Sequence, residues 1–387
     1  MSKFIMVSPF ENDIELRGTR NIHIANELLS KFDEVIFVSS NFSHQMKRNF
    51  KAKELNSSGQ LDANIRKVYL DVSGYKSNYS IKRFYTHWQF ACKLLRLIKT
   101  LSLEQGDVVL FSSIPPEPLY FCADYISSKR AKLLCDVRDI WPDAFTISGV
   151  IGRGFSLYCD FFYSRVLPKV DSFTFVSPSF ENWINRYLDE EILGVTPKKF
   201  LPLGYDRDRW DAVCKPVKTK SDTIGLCYIG FLESQFRLEN IVSAFSYFNS
   251  DSLSLSIIGD GSKLDLYKSL DKNMRVQFLG RQPFDSASEL VCKSDIGLLP
   301  IFGSAQMPNK LFDYIGAGIP VVCFPGSDSS KLISQYQLGW VVDNDESAFV
   351  DFFKNLSFED VLIKKKNVLD IRQIYSKCFL YNPEIFS

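Results

Sequence analysis

The chain has 387 residues, and because single hydrophobic cores stop growing at roughly 250 to 300 residues, we expect two domains. Hydrophobic residues make up 45% of it and charged residues 24%, with a net charge of +1, which is typical of a globular protein and excludes a disordered or fibrous chain. No apolar run reaches the roughly 18 residues of a membrane span, and the N-terminal residues lack a signal-peptide pattern, so the sequence predicts a cytoplasmic protein.

Short apolar runs of strand length alternate with longer helical stretches along the chain. One series of runs begins at residues 4, 34, 107, 132 and 171, and a second series begins at residues 224, 253, 275, 295 and 318. Such alternation is typical of parallel sheets with helices between the strands. Proline and glycine in Leu201–Tyr205, followed by polar residues, indicate a crossover between two α/β domains. We therefore predict domains over 1–200 and 201–370, with the segment 371–387 packing back on the first domain.

Residues 44–99 carry an excess of positive charge that the neutral total hides. Twelve Lys and Arg stand there against three acidic residues, which gives +9 and leaves −8 for the rest of the chain. Two interpretations remain open, a helix lying peripherally on the anionic inner face of the cytoplasmic membrane and an ordinary solvated helix face. Nucleic acid is not a predicted partner, because no nucleic-acid-binding motif accompanies the charge. The interleaved cations and aromatics are Lys82, Arg83, Phe84, Tyr85, Trp88, Phe90, Lys93, Arg96 and Lys99.

The turn Tyr228–Phe231, between a predicted strand and a polar loop, is a candidate phosphate site. Gly230 would let the backbone approach a ligand closely. Arg237, expected to open the next helix, could bind phosphate oxygens and stabilise the negative charge that grows on a leaving nucleotide. An ordinary loop with a solvated arginine is the alternative. A matching turn at Leu16–Arg20, which includes Gly18 and Thr19, precedes a helix in the first half, and its arginines could contact donor or acceptor.

The strongest local motif runs from Met307 to Tyr314. Pro308 suits the first turn of a helix that Gly318 would end. The unpaired N–H groups at such a helix start attract a diphosphate, and Lys310 adds a positive charge. Asp313 lies three residues further on the same helix face and can accept hydrogen bonds from two neighbouring hydroxyls, such as those of a ribose. A capped core helix with a surface lysine accounts for the same spacing.

Other residue patterns do not predict a metal site, a hydrolase or a dinucleotide site. The nine cysteines form no CxxC pair and are expected to be reduced thiols, and His23, His44 and His87 lack carboxylate or cysteine companions in the sequence. Ile257–Gly261 supplies only G-x-G, without the third glycine of a dinucleotide fingerprint. The D-x-D at Asp206–Asp208 lies in the interdomain segment and is interpreted as a solvated turn.

Five segments of the second half, in order, resemble family 4 of the retaining glycosyltransferases. They are the Gly230 turn, IIGDG at 257–261, VQFLGR at 276–281, DIGLLP at 295–300 and MPNKLFDYIGAGIPVV at 307–322. In the first half, LCDVRDIWPDA at 134–144 and SSIPPEP at 112–118 resemble a subgroup with a DxRDxWP segment that builds bacterial surface polysaccharides. The resemblance covers nearly the whole chain. It implies the GT-B fold, in which two Rossmann-like parallel-sheet domains face each other across a cleft.

The resemblance also implies roles for particular residues. Arg237 falls where the family has a diphosphate-binding cation, Arg281 and Gln282 fall where the backbone meets the nucleotide base, and Asp313 falls on the second glutamate of the E-x7-E pattern, the ribose ligand. Asp139, or Arg138 beside it, stands in the region of the catalytic histidine. The family pattern is broken at three points: no histidine stands at that region, Phe231 replaces a phosphate-binding arginine, and Ala305 replaces the first glutamate. The catalytic candidates are Arg237, Lys310, Asp139 and Arg138, and the donor-binding candidates are Gly18, Thr19, Gly230, Phe231, Arg281, Gln282, Met307, Pro308, Asn309 and Asp313.

The predicted function is transfer of a sugar, with retention, from a nucleotide-sugar donor bound by the second domain to an acceptor bound by the first. The expected donor is UDP-linked, the expected acceptor is a lipid-linked or growing saccharide, and no cofactor or metal ion is required. Capsule, O-antigen or exopolysaccharide synthesis would be the setting. Two alternatives remain, a sugar-nucleotide epimerase with the same layout and a catalytically inactive nucleotide-sugar-binding partner protein, the latter motivated by Ala305 and the absent histidine.

Overall fold

A computed structural model of the chain describes residues 2–14, 19–55, 59–78, 80–145, 149–214, 223–248, 250–303 and 307–386. The chain divides into two compact units, Met1–Leu201 with Tyr381–Ser387, and Pro202–Leu380. The first boundary falls at the start of the segment expected to be the crossover. Residues 371–380 group with the second unit, and the chain rejoins the first unit only from Tyr381 onward.

The first unit contains one parallel sheet and a short antiparallel pair. Within the described residues its strands are β1 (Lys3–Ser8), β2 (Glu34–Ser40), β3 (Phe42–Ser43), β4 (Arg48–Asn49), β5 (Arg66–Leu70), β6 (Val108–Ser112), β7 (Lys132–Val137), β8 (Ser172–Phe175) and β9 (Lys198–Phe200). β3 pairs with β4, and the other strands form a sheet in the order β5-β2-β1-β6-β7-β8-β9. The apolar run from Phe4 to Val7 in β1 is buried along its whole length, as expected where helices cover both faces of a parallel sheet.

Helices connect these strands. In the described part of the first unit they are α1 (Arg20–Leu28), α2 (Ala52–Leu55), α3 (Ile81–Thr100), α4 (Pro116–Ser128), α5 (Gly149–Val166), α6 (Phe180–Asn185) and α7 (Glu190–Leu193), with 3-10 turns at Leu167–Lys169 and Pro383–Phe386. α3 begins where the Ser80 hydroxyl accepts a hydrogen bond from the Arg83 N–H. Its buried residues Phe90, Leu94 and Ile98 recur at helical spacing, so one face of α3 packs on the unit and the other remains exposed.

The second unit repeats the plan with a smaller sheet. Among the described residues its strands are β10 (Ile224–Ile229), β11 (Leu253–Ile258), β12 (Val276–Gly280), β13 (Ile296–Leu299), β14 (Val321–Cys323) and β15 (Gly339–Val341). All pairs are parallel, in the order β12-β11-β10-β13-β14-β15. The helices are α8 (Arg207–Val213), α9 (Glu239–Tyr247), α10 (Leu264–Leu270), α11 (Phe284–Cys292), α12 (Asn309–Ala317), α13 (Asp328–Gln335), α14 (Glu346–Asn355), α15 (Phe358–Arg372) and α16 (Lys377–Leu380), with a 3-10 turn at Gln373–Tyr375.

Both sheets share one topological feature. In each, the first strand lies in the middle, the second and third follow on one side, and the later strands follow on the other. This is the doubly wound order, in which the connections diverge between the first and fourth strands and leave a crevice at the carboxyl ends. The predicted α/β architecture with two Rossmann-like sheets is confirmed. In the second unit the crevice lies between the ends of β10 and β13.

Two further observations concern the chain as a whole. Cys214 and Cys292 form a disulfide between the end of α8 and the end of α11, so the expectation that all cysteines are reduced thiols is wrong for this pair. Of the helices in the described residues, none combines the length and the apolar character needed to cross a bilayer.

Candidate functional site

The crevice of the second unit is shaped by Tyr314, a residue of the 307–314 motif to which the sequence assigned no role. Its hydroxyl accepts a hydrogen bond from the Ile229 N–H at 3.2 Å and donates one to the Leu298 carbonyl at 3.0 Å. The side chain thereby joins the end of β10 to the end of β13. Gly297 in β13 leaves room for the ring, because a Cβ there would stand 2.4 Å from it. Tyr314 therefore fixes α12 against the point where the connections diverge.

The predicted helix after Met307 is present. Pro308 precedes its first residue with an extended ψ of 162°, and Gly318 ends it in a left-handed conformation with φ 72°. Met307 is buried and Asn309 is exposed at the helix start. The start of this helix lies on the carboxyl side of β13, which is the edge of the sheet where ligands bind in doubly wound folds.

Lys310 is buried rather than a surface residue. It is 8% exposed, and its Nζ donates to the Tyr228 hydroxyl at 2.8 Å and lies 3.4 Å from the centre of the Phe236 ring. Burial lowers the pKa of Lys310 well below its usual range, while Asp313 acts in the opposite direction. No described carboxylate forms an ion pair with this ammonium. Because a desolvated cation gains most from an anionic partner, the position favours binding of an anion.

Gly230 lies directly beside Lys310. Its φ is 138°, and a Cβ at this position would meet the Lys310 Nζ at 2.9 Å. A Cβ on Gly259, at the end of β11, would stand only 1.8 Å from the Gly230 carbonyl oxygen. Gly259 has no room for a side chain, and the positive φ of Gly230 disfavours one there, so the backbone itself lines this part of the crevice. The Tyr228 hydroxyl, which accepts from Lys310, donates in turn to the Phe231 carbonyl at 2.6 Å. The Phe231 ring is 59% exposed.

Arg237 lies on the same edge of the sheet but does not open the following helix, which begins at Glu239. Its N–H donates to the Pro300 carbonyl at 2.9 Å, and its exposed guanidinium lies 4.8 Å from the centre of the Phe302 ring. Arg237 is thus attached to the loop after β13. The structure therefore brings Gly230, Lys310 and Arg237 to the ends of two adjacent strands.

Asp313 contacts an aromatic residue that the sequence analysis did not connect with it. The side chain of Trp210, on α8, hydrogen-bonds to its carboxylate. Burial raises the pKa of Asp313 to about 6, and Lys377, the Trp210 hydrogen bond and Arg209 oppose that rise. A carboxyl group whose pKa is shifted by burial towards neutrality is more common at ligand sites than elsewhere.

The candidates for the nucleotide base follow β12. Arg281 is exposed, and the Gln282 side-chain amide donates to the Leu279 carbonyl at 2.6 Å. The Gly280 carbonyl accepts from the Gly259 N–H at 2.8 Å, which ties this turn to the one beside Gly230. Ala305 lies outside the described residues.

In the first unit, the Arg20 side chain is buried and contacts other residues of the protein. Its guanidinium forms a two-pronged pair with the buried Asp136 carboxylate at 2.8 and 2.9 Å and donates to the Tyr381 hydroxyl at 3.2 Å. These buried contacts give no support to the expectation that Arg20 contacts donor or acceptor, and Arg17 lies outside the described residues. Gly18 lies outside the described residues, and Thr19 stands at the N-cap of α1.

Arg138 and Asp139 follow β7 and point to different partners. Arg138 forms an ion pair with the largely buried Glu11. The Asp139 carboxylate accepts from the Ile140 N–H at 3.0 Å and the Trp141 indole at 3.3 Å. Burial raises the pKa of Asp139 despite these hydrogen bonds. The four catalytic candidates are thus divided, with Arg138 and Asp139 in one unit and Arg237 and Lys310 in the other.

Two histidines of the first unit have neighbours that the sequence did not reveal. His87 is buried with its Nδ1 3.5 Å from a carboxylate oxygen of Glu117, so the expectation that it lacks a carboxylate companion is wrong. Phe10 lies between His87 and His44 at 5.4 and 5.3 Å between ring centres. Burial, followed by the nearby cations, lowers the pKa of His44 to about 4.

A recess of 210 Å³ opens next to the DxRDxWP segment. Its walls come from the residues after β7 and from the first turns of α5, namely Pro142, Asp143, Phe145, Gly152, Phe155 and Ser156. Among the residues that the structure describes, no group of three or more His, Cys, Asp and Glu side chains is placed to hold a metal ion.

Comparisons with known proteins agree with this architecture. Residues 224–357 match the family model described as Glycosyl transferases group 1. Among solved structures, the chain is similar to Anabaena HepE in complex with UDP (12% identity, 100% of this chain and 98% of that chain, TM-score 0.65). It is also similar to Thermosynechococcus elongatus sucrose-phosphate synthase (12%, 98% and 96%, 0.68) and to WaaG, a glycosyltransferase involved in lipopolysaccharide biosynthesis (13%, 99% and 98%, 0.60). No curated protein sequence matches the chain. The fold is GT-B.

Proposed function

We propose that this protein transfers a sugar from a nucleotide-sugar donor whose diphosphate binds at the crevice of the second unit. The observation that carries the proposal is the Lys310 ammonium, which is buried between Tyr228 and Phe236 without a carboxylate in ion-pair distance among the described residues. The family match over 224–357 includes all of this crevice. The neighbour HepE was solved with UDP and with UDP-glucose, which supports a donor of that class.

The diphosphate would meet three sources of positive potential. Lys310, Arg237 and the start of α12 all lie at the carboxyl ends of β10 and β13, and we propose that the Nζ, the guanidinium and the helix N–H groups bind the diphosphate together. A charge-assisted hydrogen bond from one such group is worth about 1.5–3 kcal/mol, or roughly ten- to a hundredfold in affinity. Because these groups of the chain can neutralise the negative charge of the diphosphate, we propose that no metal ion is needed.

We propose roles for the remaining donor-binding residues as well. Asp313 would accept hydrogen bonds from the two ribose hydroxyls, for which its pKa near 6 leaves it ionised at neutral pH. The turn after β12, with Arg281 and Gln282, would contact the base through its backbone. We propose UDP as the nucleotide.

The reaction would proceed with retention. The acceptor hydroxyl attacks the anomeric carbon from the face that the diphosphate leaves, a new C–O bond forms as the old one breaks, and the hydroxyl proton passes to the departing diphosphate. Lys310 and Arg237 stabilise the charge that develops on the diphosphate. The acceptor would be a lipid-linked or growing saccharide in synthesis of a bacterial surface polysaccharide. The recess beside Asp143 and Phe155 is the acceptor site that we propose in the first unit.

One observation favours a second candidate, a partner protein that binds the donor without turnover. Arg138 and Asp139, at the position of the family's catalytic histidine, are both engaged in contacts within the first unit. Such engagement leaves donor binding intact but removes a group that could contact the reacting sugar.

The test combines calorimetry with product analysis. UDP-glucose binding to the full chain is measured for wild type, Lys310→Ala and Lys310→Arg, with the exposed Lys293→Ala at the opposite edge of the sheet as a control. We expect at least tenfold weaker binding for Lys310→Ala, partial recovery for Lys310→Arg and no change for the control. Unchanged binding in Lys310→Ala would overturn the proposed site. Turnover is then followed with a panel of nucleotide sugars, with and without EDTA, and the anomeric configuration of the product is read by NMR.

A further inference from the structure

The first unit exposes a concentration of large apolar side chains on two helices. On α3 and α5 seven of them are between 41% and 89% exposed: Ile81, Tyr85, Trp88, Val150, Ile151, Leu157 and Phe161. On α3 the three residues recur at spacings of four and three. On α5 Val150, Leu157 and Phe161 recur at spacings of seven and four, with Ile151 beside Val150, so each helix presents an apolar stripe. Clustered exposed apolar side chains of this kind mark an interaction surface.

Aromatic rings connect the two stripes across α4. The Trp88 ring lies 4.9 Å from that of Phe121, Phe121 lies 6.0 Å from Tyr120, and Tyr120 lies 6.0 Å from Phe161. The Trp88 indole also donates to the Tyr158 hydroxyl of α5 at 3.2 Å. The outer face of α3, α4 and α5 is therefore one surface, which we call the three-helix face.

Cations lie at the border of the three-helix face and stack on its rings. The Arg165 guanidinium lies 4.0 Å from the centre of the Phe161 ring, and Lys99 and Lys129 lie 5.9 and 5.5 Å from that of Tyr125. Lys82, Arg96 and Arg153 are exposed on the same helices. Two acidic residues of these helices already have partners, because Asp124 pairs with Lys169 and Asp160 accepts a hydrogen bond from Tyr187.

We infer that the three-helix face docks on the surface of an anionic lipid bilayer. Apolar stripes can enter the boundary between headgroups and acyl chains, tryptophan and tyrosine suit that boundary through their polar edges, and the bordering cations attract anionic headgroups. The cations at the border of the face are attracted to anionic headgroups. They therefore favour an anionic bilayer over an uncharged protein partner.

This face differs from the helix surface that the charge pattern alone suggested. Arg83 and Phe90 are buried against the unit, and the Lys93 Nζ donates to the Asp71 carbonyl at 2.7 Å. Those three residues therefore point away from the proposed bilayer, whereas α5, which the sequence analysis did not consider, supplies most of the apolar contact. The inference stands independently of the proposed transfer reaction, although a lipid-linked acceptor would reach the recess at Gly152 and Phe155 from α5 itself.

The test is sedimentation of the full chain with vesicles of phosphatidylglycerol and phosphatidylcholine, or of phosphatidylcholine alone. We expect binding to the anionic vesicles only, at least about tenfold weaker binding in the triple variant Val150→Ser, Ile151→Ser, Leu157→Ser, and weaker binding as salt is raised. The matched control changes three exposed apolar residues of the second unit, Met274→Ser, Leu362→Ser and Ile363→Ser, and should bind as wild type does.

Charge is tested separately with Arg153→Glu and Arg165→Glu, against Lys293→Glu and Lys354→Glu as the control. Circular dichroism and denaturant unfolding verify that each variant is folded. Equal binding to neutral vesicles, or full binding by the folded triple variant, would overturn the inference. A dimer in light scattering that the triple variant abolishes would also overturn it, because the face would then be covered by a second copy of the chain.

Discussion

The ring of Tyr314 lies against the backbone of Gly297, and its hydroxyl bridges the two strand ends that border the crevice of the second unit. A methyl group on Gly297 would stand 2.4 Å from that ring. We predict that Gly297→Ala destabilises the protein by about 1–3 kcal/mol, because the ring must shift within a packed core. Tyr314→Phe should cost a similar ~1–3 kcal/mol, because the Ile229 N–H loses its partner. Denaturant unfolding of the full chain measures both.

The two changes act on one contact, so their effects should not add. The double variant should be destabilised by less than the sum of the single variants, since a displaced ring has already lost its hydroxyl bridge. Additive effects would contradict the proposed coupling. Gly225→Ala, whose Cβ would meet its neighbours only at 3.6 Å or more, is the control in the same sheet.

The carboxyl group of Asp313 should make donor affinity depend on pH. Burial raises its pKa to about 6, so lowering the pH from 7.5 to 5.5 protonates most of it and removes the acceptor for the ribose hydroxyls. We predict about fourfold weaker UDP-glucose binding at pH 5.5 from this titration. UDP-glucose is preferred to UDP because its diphosphate has no terminal phosphate titrating in this range. Asp313→Asn should remove the dependence, and Asp351→Asn should leave it unchanged.

The same carboxyl should affect the stability of the free protein in the opposite direction. Its folded-state pKa of about 6 exceeds its usual value of 3.8, so its stabilising contribution is complete below the lower value and is lost as the pH rises through the higher one. Between pH 4 and 6 the unfolding free energy of wild type should therefore fall relative to that of Asp313→Asn. A parallel pH dependence in both proteins would show that Asp313 does not titrate in this window.

Gly259 and Gly230 should not tolerate side chains. The Cβ of Gly259→Ala would stand 1.8 Å from the Gly230 carbonyl oxygen, so the turn that lines the crevice must move. We predict at least tenfold weaker UDP-glucose binding by calorimetry, together with a loss of about 1–3 kcal/mol in stability. Gly326→Ala is the matched control, because it also has a positive φ but no atom within 4 Å of its Cβ. If Gly326→Ala weakens UDP-glucose binding as much as Gly259→Ala does, the loss comes from backbone strain in general and not from the contact between Gly259 and Gly230.

The buried pair of Arg20 and Asp136 should be essential to the first unit. Asp136 also accepts from the Thr174 hydroxyl at 2.6 Å, so Asp136→Asn leaves a buried guanidinium without its counter-charge. We predict a loss of about 3–5 kcal/mol in unfolding free energy. Asp143→Asn, which affects an exposed pair with Arg186, should change stability by less than about 1 kcal/mol. A mild effect of Asp136→Asn would contradict the structural role assigned to Arg20.

The sequence predicted those features that depend on neighbours along the chain. The helix after Pro308 and its end at Gly318 follow from local backbone preferences, and the doubly wound sheets follow from alternating apolar runs. Whether Lys310 is exposed could not be read from its spacing, because Tyr228 and Phe236 approach it through the order of the strands. The donor-binding roles given to Arg281, Gln282 and Asn309 stay predictions.

Contacts between distant residues account for what was missed. His87 and Glu117 are thirty residues apart and meet only because α3 packs on α4. Trp210 reaches Asp313 from a helix that the sequence analysis treated as part of an interdomain segment. The sequence signal for the contact between Tyr314 and Gly297 is a glycine in a strand and a tyrosine in the helix that follows it.

The return of the chain to the first unit at Tyr381 limits how that unit can be isolated. A fragment ending at Leu201 would lack the Tyr381 hydroxyl that meets Arg20 and the Phe386 ring that lies 6.2 Å from Phe4. To express the first domain by itself, residues 381–387 should therefore be joined to its end through a short linker. A fluorescent protein fused after Ser387 would need a spacer so that it does not disturb the packing of this segment.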